Sequence, residues 1–350
     1  MKRTIILSLI LALSTMGVEM TVVDSFLMPN PFSTLPRNWI KQGNLYSIIS
    51  LPDSRLAFVE MSIRKPFIFD RFTKRLWEIG GETGNYPDCF IGAISLFCDY
   101  PYLWVSDEGS HRLSKWRIDE EDIAFVGAFS IPDLRFIPWM IVVLGDTIVV
   151  SGRKYYMNEE GRPQTLTVQT YNANTGEFIS EGSVFSPDDY DIYLSPEGME
   201  LSHFLSNRLC LFGRGFLSSM SIFPDVIYYN AKLDTLGVFD VAPPSYIAPG
   251  AYEGSLETTT FEEDIEWVGT WSHTGCPRVF NDSVAVIDYE LGGKSELVFF
   301  KPGTGEVIGI TAPFKGALMD IYKDGRLLVV SEEVDKEAIK MVLYEVDFDD

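Results

Sequence analysis

Histidine and cysteine, side chains that often hold transition metals, are scarce in this sequence. It has three histidines and four cysteines in 350 residues, which excludes a dense histidine metal cluster. The cysteines, Cys89, Cys98, Cys210 and Cys276, show no paired CxxC spacing typical of structural zinc sites. Cys98, Cys210 and Cys276 lie in or beside apolar runs, which predicts buried free thiols. A disulfide between Cys89 and Cys98 is the alternative.

Basic residues are also few. The chain has 28 lysines and arginines against 50 aspartates and glutamates, a formal net charge of -22. Nucleic acids and anionic membrane surfaces both require clustered Lys and Arg, so neither is expected as a partner. We expect a monomer whose partner is a small polar ligand or a protein.

Motifs of several enzyme classes are absent. The chain has no GxSxG nucleophile elbow, no GxxxxGK phosphate loop and no GxGxxG dinucleotide fingerprint. It also has no DxDxDG calcium loop, so any calcium site has to be assembled from carboxylates that are distant in sequence. These absences exclude the common α/β-hydrolase, P-loop and Rossmann sites.

Long hydrophobic runs are missing except at the N-terminus. Lys2 and Arg3 precede the apolar run Thr4–Leu13, and Gly17 stands at a suitable cleavage position. The run is shorter than a membrane-spanning helix requires, and no second run follows. The sequence predicts a signal peptide over residues 1–17 and one domain over residues 18–350. The domain is expected to be exported to the periplasm or out of the cell, without membrane insertion.

What the sequence does contain is a repeat of about 45 residues. Six strand cores end in a small or acidic residue, and each is followed by a strand that carries an aromatic residue. The cores are Leu56–Glu60, Leu103–Asp107, Ile148–Gly152, Leu209–Gly213, Val284–Asp288 and Leu328–Glu332. The aromatic residues are Phe69, Trp116, Tyr171, Tyr229, Phe300 and Tyr344. Each repeat predicts a four-stranded antiparallel blade, so the prediction is an all-β fold, a six-bladed β-propeller.

The two ends of the chain complement each other. The sixth repeat stops at Asp350, shortly after its aromatic strand, and therefore lacks an outer strand. The apolar segment Met20–Leu27 can supply that strand, which predicts that the N-terminal strand completes the last blade and closes the ring. Closure of this kind removes an exposed sheet edge.

The second repeat, Leu103–Leu113 (LWVSDEGSHRL), resembles an NHL repeat, in which a valine-containing strand leads to Asp, a Gly or Asn turn, and Arg. The other repeats keep the strands and the aromatic residue without the Asp–Arg pair. The chain as a whole is similar to exported six-bladed propellers of the TolB-like and NHL-like superfamily, of the uncharacterised bacterial type. That resemblance implies a scaffold, a ligand sensor or, in a minority of members, an enzyme, so the function has to be argued from the site.

One face of the predicted propeller is expected to bind the ligand. The loops between second and third strands share this face with the loops that link successive blades. Four of the residues that end the cores are acids, namely Glu60, Asp107, Asp288 and Glu332. In the other two blades a glycine is followed by Arg153 or Arg214, and nearby loops add Arg64 and His273. A role in capping turns is the alternative for the acids, above all for Asp107.

Three functions follow from this arrangement. The first is a non-catalytic binding or scaffold propeller without a cofactor, which recognises its ligand at the channel mouth. Its predicted binding residues are Arg64, Asp107, Arg153, Arg214, His273, Asp288 and Glu332, with arginines on an anionic group and acids on a cationic one. The second is a calcium-assisted, lactonase-like hydrolase, whose metal ligands are Glu60, Asp107, Asp288 and Glu332. The third is a protein-interaction module that uses the insertion Pro243–Trp267.

Overall fold

The computed structural model describes residues 17–31, 48–81, 84, 86–120, 122–154, 166–182, 207–248, 269–334 and 337–348. Every regular element in these ranges is a β-strand, so the all-β prediction is confirmed. The predicted signal peptide lies outside the described residues, apart from Gly17. Within the described ranges, no helix is long and apolar enough to cross a membrane.

The described part of the chain begins with strand β1 (Gly17–Pro29), and four separate four-stranded antiparallel sheets follow. These sheets are the blades of a propeller-like arrangement, and in each the strands lie in chain order. The first blade contains β2 (Ile48–Ser50), β3 (Leu56–Glu60), β4 (Lys65–Phe69) and β5 (Leu76–Glu78). The second contains β6 (Ala93–Asp99), β7 (Tyr102–Asp107), β8 (Arg112–Ile118) and β9 (Ile123–Ser130). The third contains β10 (Phe136–Leu144), β11 (Thr147–Lys154), β12 (Leu166–Asn172) and β13 (Phe178–Gly182). The fourth contains β14 (Asn207–Phe212), β15 (Gly215–Met220), β16 (Asp225–Asn230) and β17 (Thr235–Asp240).

The remaining strands form one nine-stranded sheet with β1. They are β18 (His273–Thr274), β19 (Arg278–Asn281), β20 (Val284–Leu291), β21 (Lys294–Lys301), β22 (Glu306–Thr311), β23 (Ala317–Ile321), β24 (Leu327–Val334) and β25 (Ala338–Phe348). The strand order is β18-β20-β21-β22-β1-β25-β24-β23, with β19 also paired to β20. Strand β1 runs antiparallel to β25 from Val18 opposite Phe348 to Pro29 opposite Ala338. The predicted pairing of Met20–Leu27 with the last repeat is therefore observed.

Five of the six predicted cores form the second strand of a repeat, in β3, β7, β11, β20 and β24. The assignment of Leu209–Gly213 is wrong, because these residues belong to β14 and the turn after it. Gly213 has φ 57° and forms a two-residue turn with Arg214, so that Phe212 pairs with Gly215. The second strand of this blade is β15.

Polar contacts link three second strands to the next repeat, either to a strand there or to the segment between β18 and β19, in which Gly275 lies. The Ser151 hydroxyl donates to the Asn207 carbonyl at 3.0 Å, and the Ser219 hydroxyl donates to the Gly275 carbonyl at 2.8 Å. At the third junction the Leu318 amide donates to the Asp288 carboxylate at 3.0 Å. Each contact satisfies a buried polar group and fixes the register between neighbours.

The apolar core lies between neighbouring sheets. One cluster packs Val149 of the third blade against Leu209 and Phe216 of the fourth and against Trp271. Another packs Phe58 of the first blade against Leu328 in β24. Burial of each large apolar side chain stabilises the fold by about 1.5–3 kcal/mol.

Candidate functional site

Six strands surround a cavity of about 250 Å³. They are the first strands of the four blades, β2, β6, β10 and β14, together with β19 and β23 of the nine-stranded sheet. The lining residues of β2, β6, β14 and β23 lie in the middle or second half of their strands, those of β10 lie in its middle, and Arg278 and Val279 begin β19. The cavity therefore lies away from the ends of the second strands, where the binding residues were predicted.

Most of the cavity wall is apolar. Leu96 of the second blade, Met140 and Val142 of the third, and Leu209 of the fourth are buried residues that line it. The part of the wall formed by the nine-stranded sheet contains the apolar residues Val279 and Ile321 and the charged residues Arg278 and Asp320. A ligand here contacts an apolar surface over most of its area and polar groups in one place.

The polar groups are Arg278 of β19 and Asp320 of β23. Arg278 Nε lies 3.5 Å from Asp320 Oδ1 and donates to the Met319 carbonyl at 3.0 Å. Its Nη1 donates to the Cys276 sulfur and to the Pro277 carbonyl. Within the described residues these contacts leave Nη2 without a hydrogen bond, although Arg278 lines the cavity.

Asp320 is held in place by the first blade. Its Oδ2 accepts hydrogen bonds from the Ser50 amide at 2.5 Å and from the Ser50 hydroxyl at 2.8 Å. Its Oδ1 lies 3.5 Å from Arg278 Nε and accepts no hydrogen bond from the described residues. The pair therefore presents to the cavity one donor, Arg278 Nη2, and one acceptor, Asp320 Oδ1, that can still form hydrogen bonds.

Burial and neighbouring charge act on Arg278 in opposite directions. Burial lowers the pKa of its guanidinium, whereas Cys276 and Asp320 raise it, and the net pKa lies above the usual value. Arg278 is therefore protonated at any physiological pH. The carboxylate beside it compensates this charge in a site that is largely removed from water.

Three cysteines surround this pair. Cys98 and Cys210 line the cavity, and the Cys276 sulfur lies 3.6 Å from the Leu209 carbonyl. All four cysteines of the chain are free. Free thiols were predicted for Cys98, Cys210 and Cys276, of which Cys276 is buried and the other two are half-buried. Burial raises the pKa of both Cys98 and Cys210 to about 12, so both are neutral thiols at neutral pH.

We expect Cys98 and Cys210 to resist alkylation in the native protein. Only the thiolate reacts, and a pKa of about 12 leaves about one thiol in ten thousand ionised at pH 8. Labelling with iodoacetamide at pH 8, followed by peptide mass spectrometry, is expected to be about a thousandfold slower than in the urea-unfolded chain. Rapid native labelling of Cys98 would contradict this assignment.

The predicted site residue Asp107 has a role within its own turn. It is 1% exposed, and its oxygens accept hydrogen bonds from the amides of Ile91, Gly92, Gly109 and Ser110 at 2.8–3.2 Å. These bonds occupy the carboxylate and fix the loop into β6 against the turn after β7. These contacts agree with the alternative given in the sequence analysis, in which Asp107 caps a turn.

Two further predicted residues of the first blade also have local partners. Glu60 accepts from the Ser62 hydroxyl at 2.6 Å and from the Ile63 amide at 2.8 Å. Arg64 is an exposed residue that forms an ion pair with Glu108 of the second blade. Glu60 stabilises its own loop, and Arg64 links this loop to the second blade.

The structure separates the two arginines that were predicted to act together. Arg153 is buried in β11, with its guanidinium 4.5 Å from the centre of the Trp139 ring. Arg214 is exposed in the turn between β14 and β15. That turn joins a first to a second strand, so Arg214 lies at the opposite face from the end of β11, and the predicted basic arc is wrong.

His273 and Asp288 are both buried. His273 pairs with Glu290 across β18 and β20, and its ring contacts that of Trp271, with the centroids 4.1 Å apart and the ring planes at 31°. Asp288 is 5% exposed, and burial raises its pKa to about 6. Its Oδ1 is buried without a hydrogen-bond partner among the described residues.

The predicted calcium ligands do not assemble in the described structure. Among the described residues, no group of three or more His, Cys, Asp or Glu side chains could hold a metal ion. Glu332 lies in β24, but its side chain is outside the described part. Most of the insertion Pro243–Trp267, from residue 249 onward, is also outside it.

Arg278, Asp320 and Ser50 were not predicted. The signal available in the sequence was a charged residue within an apolar strand core: Asp320 in Ala317–Tyr322 and Arg278 beside Val279–Phe280. A charge at such a position is costly unless it is paired. A search for charges inside first strands, in place of those at the ends of second strands, would have found both residues.

No protein-family model matches the sequence, and no curated protein matches it either. Solved structures with similar folds include a member of the DUF4221 family from Bacteroides vulgatus ATCC 8482, with TM-score 0.62 and 12% identity over 95% of this chain and 99% of that chain. A candidate exported protein from Bacteroides fragilis NCTC 9343 has TM-score 0.54 and 11% identity over 96% of each chain. The PQQ-bound aldose sugar dehydrogenase of Streptomyces coelicolor has TM-score 0.52 and 13% identity over 95% of this chain and 99% of that chain. These similarities show that the chain has an all-β, propeller-like fold with four-stranded antiparallel blades.

Proposed function

We propose that the protein is a non-catalytic binding propeller that holds a small polar ligand in the cavity between its first strands. The observation that carries this proposal is the Arg278–Asp320 pair, whose Nη2 and Oδ1 retain hydrogen-bonding capacity in an otherwise apolar cavity. A concave, mostly apolar wall with a few convergent polar groups is typical of small-molecule sites. The sequence analysis predicted the same chemistry, an arginine for an anionic group and an acid for a cationic one, on other residues.

Binding without catalysis is favoured by the groups that line the cavity. Cys98 and Cys210 are neutral thiols and therefore poor nucleophiles. Arg278 keeps its proton and cannot act as a base. Asp320 is fixed by Ser50 and neighbours a cation, an arrangement that suits recognition better than proton transfer.

We propose a ring of six blades as the scaffold of this site. In the described residues the first strands contact one another in the closed sequence β2, β6, β10, β14, β19, β23 and again β2. The nine-stranded sheet supports two blades, one of β19 to β22 and one of β23 to β25 completed by β1. The Asp107–Arg112 ion pair, 3.8 Å between Nη2 and Oδ2, supports an NHL-like second blade.

We also propose that residues 18–350 form one exported domain, in the periplasm or outside the cell. The basic and apolar segments at the N-terminus support export. The fold shared with the candidate exported protein of Bacteroides fragilis is compatible with it.

The proposal is tested by filling the cavity. Cys98→Phe adds an aromatic ring where Cys98 lines the wall, whereas the control Leu236→Phe enlarges a residue that is 54% exposed on β17. A library of small polar compounds is screened by thermal shift, and hits are measured by calorimetry. We expect hits for the wild type and Leu236→Phe, with affinity at least about tenfold lower for Cys98→Phe.

Two results of this screen decide the proposal. Hits that bind Cys98→Phe as tightly as the wild type would place the binding site elsewhere. Circular dichroism and melting of both variants check that the fold is retained. A screen without any hit on a folded wild type would remove the small-ligand function.

A further inference from the structure

We infer that the ligand is a small zwitterion with an apolar side chain, most simply an apolar α-amino acid. This inference rests on the proposed function and specifies the ligand of the same cavity. Arg278 Nη2 is the donor for the carboxylate of the ligand, and Asp320 Oδ1 is the acceptor for its ammonium group.

The charge of the cavity selects against ions of one sign. Arg278 and Asp320 lie with Nε and Oδ1 3.5 Å apart and compensate each other. A ligand with a single charge brings an uncompensated charge into a site where side chains are mostly buried, which is unfavourable. A zwitterion adds no net charge, and each of its ends meets a group of opposite sign.

The spacing of the two protein groups fits a ligand whose two charged groups are attached to the same carbon atom. In an α-amino acid the carboxylate and the ammonium group are attached to one carbon. The two protein groups are likewise neighbours, because Ser50 fixes the Asp320 carboxylate through two hydrogen bonds and the Met319 carbonyl fixes Arg278 Nε at 3.0 Å. Both partners are therefore ordered before the ligand binds, which lowers the entropy cost of binding.

The rest of the cavity fits an apolar side chain of moderate size. Its volume of about 250 Å³ corresponds to about eight water molecules at 30 Å³ each. Leu96, Met140, Val142 and Leu209 provide the apolar wall, and the neutral thiol of Cys98 adds a polarisable surface. A free amino acid fits this volume.

The test compares three probes that differ only in their charged ends, measured by calorimetry on the purified protein. They are L-leucine, 4-methylpentanoate, which lacks the ammonium group, and 3-methylbutylamine, which lacks the carboxylate. We expect L-leucine to bind, and each of the other probes to bind at least about tenfold more weakly. Equal affinity of L-leucine and 4-methylpentanoate would overturn the inference.

The variant Asp320→Asn provides a second readout that a structural role alone would not give. Asparagine keeps the shape and an oxygen for Ser50 but leaves the Arg278 charge without compensation. L-leucine is expected to lose about tenfold in affinity, while 4-methylpentanoate binds the variant more tightly than it binds the wild type. An unchanged preference in a folded variant would overturn the inference.

The outcomes separate this inference from the proposed function. Weak or absent binding of all three probes overturns the zwitterion, whereas other compounds that bind the wild type and lose affinity for Cys98→Phe still support a ligand cavity. If L-leucine binds equally well to Cys98→Phe, its site lies outside the cavity and the zwitterion inference is overturned, while the compound screen still decides the proposed function.

Discussion

Replacing Gly152 by alanine is expected to destabilise the protein by about 4 kcal/mol or more, among the larger effects of single substitutions. A Cβ atom at this position would lie 2.2 Å from the Ile137 carbonyl oxygen and 2.6 Å from the Phe136 ring. The oxygen belongs to the backbone of β10, whose register with β11 shifts between Pro138 and Met140. Relief of the clash therefore requires moving a strand that lines the central cavity.

The measurement is thermal unfolding followed by circular dichroism, with Gly127→Ala as the matched control. Gly127 lies in β9, and a Cβ atom there meets no atom within 4 Å. We expect Gly152→Ala to melt roughly 6 °C below the wild type, because a chain of 350 residues has an unfolding entropy of about 0.7 kcal/mol/K, and we expect the control to melt within about 2 °C of the wild type. Similar melting of the two variants would show that Gly152 is not required by packing.

The strands of this fold were predictable because each repeat carries its own signal. Short apolar strand cores, polar turns and an aromatic residue in the following strand are features of a few residues each, and these local features placed β3, β7, β11, β20 and β24 correctly. The prediction for the fourth repeat was wrong because the apolar segment Leu209–Gly213 fits a first strand as well as a second strand. Only the positive φ of Gly213 and the pairing of Phe212 with Gly215 decide between them.

The site was less predictable because it depends on contacts between distant repeats. Ser50 and Asp320 are 270 residues apart in sequence and meet only when the first strands lie side by side. Acids at strand ends attracted the functional interpretation, yet Asp107 is occupied by the amides of its own turn. The sequence analysis looked for an arginine and an acid at the ends of second strands, but it could not identify that first strands bring Arg278 and Asp320 together.

Asp288→Asn is the second variant with a large expected effect. The buried Asp288 carboxyl makes the free energy of unfolding depend on pH. Burial raises the pKa of this carboxyl from 3.8 to about 6, although the Leu318 amide, Ser295 and Arg208 act in the opposite direction. A shift of this size corresponds to about 3 kcal/mol. The raised pKa means that the folded state binds the proton more tightly than the unfolded chain.

The sign of the effect follows from that difference. The stabilisation is complete below pH 3.8 and is lost as the pH rises through about 6. Asparagine at position 288 cannot ionise and keeps an oxygen that can accept a hydrogen bond from the Leu318 amide. The variant therefore does not lose stability as the pH rises through about 6. At pH 7.5 we expect Asp288→Asn to exceed the wild type in free energy of unfolding by about 3 kcal/mol, with the difference shrinking toward zero near pH 4.

Urea unfolding followed by tryptophan fluorescence between pH 4 and pH 8 measures this difference. Other carboxyls, including Asp70 and Asp324, have lowered pKa values and destabilise the fold as the pH falls. Their contribution is common to both proteins and cancels when the wild type is subtracted from the variant. Asp282→Asn, in an exposed turn, controls for the loss of one negative charge. A difference between wild type and Asp288→Asn that stays constant across this pH range would show that Asp288 does not titrate with folding.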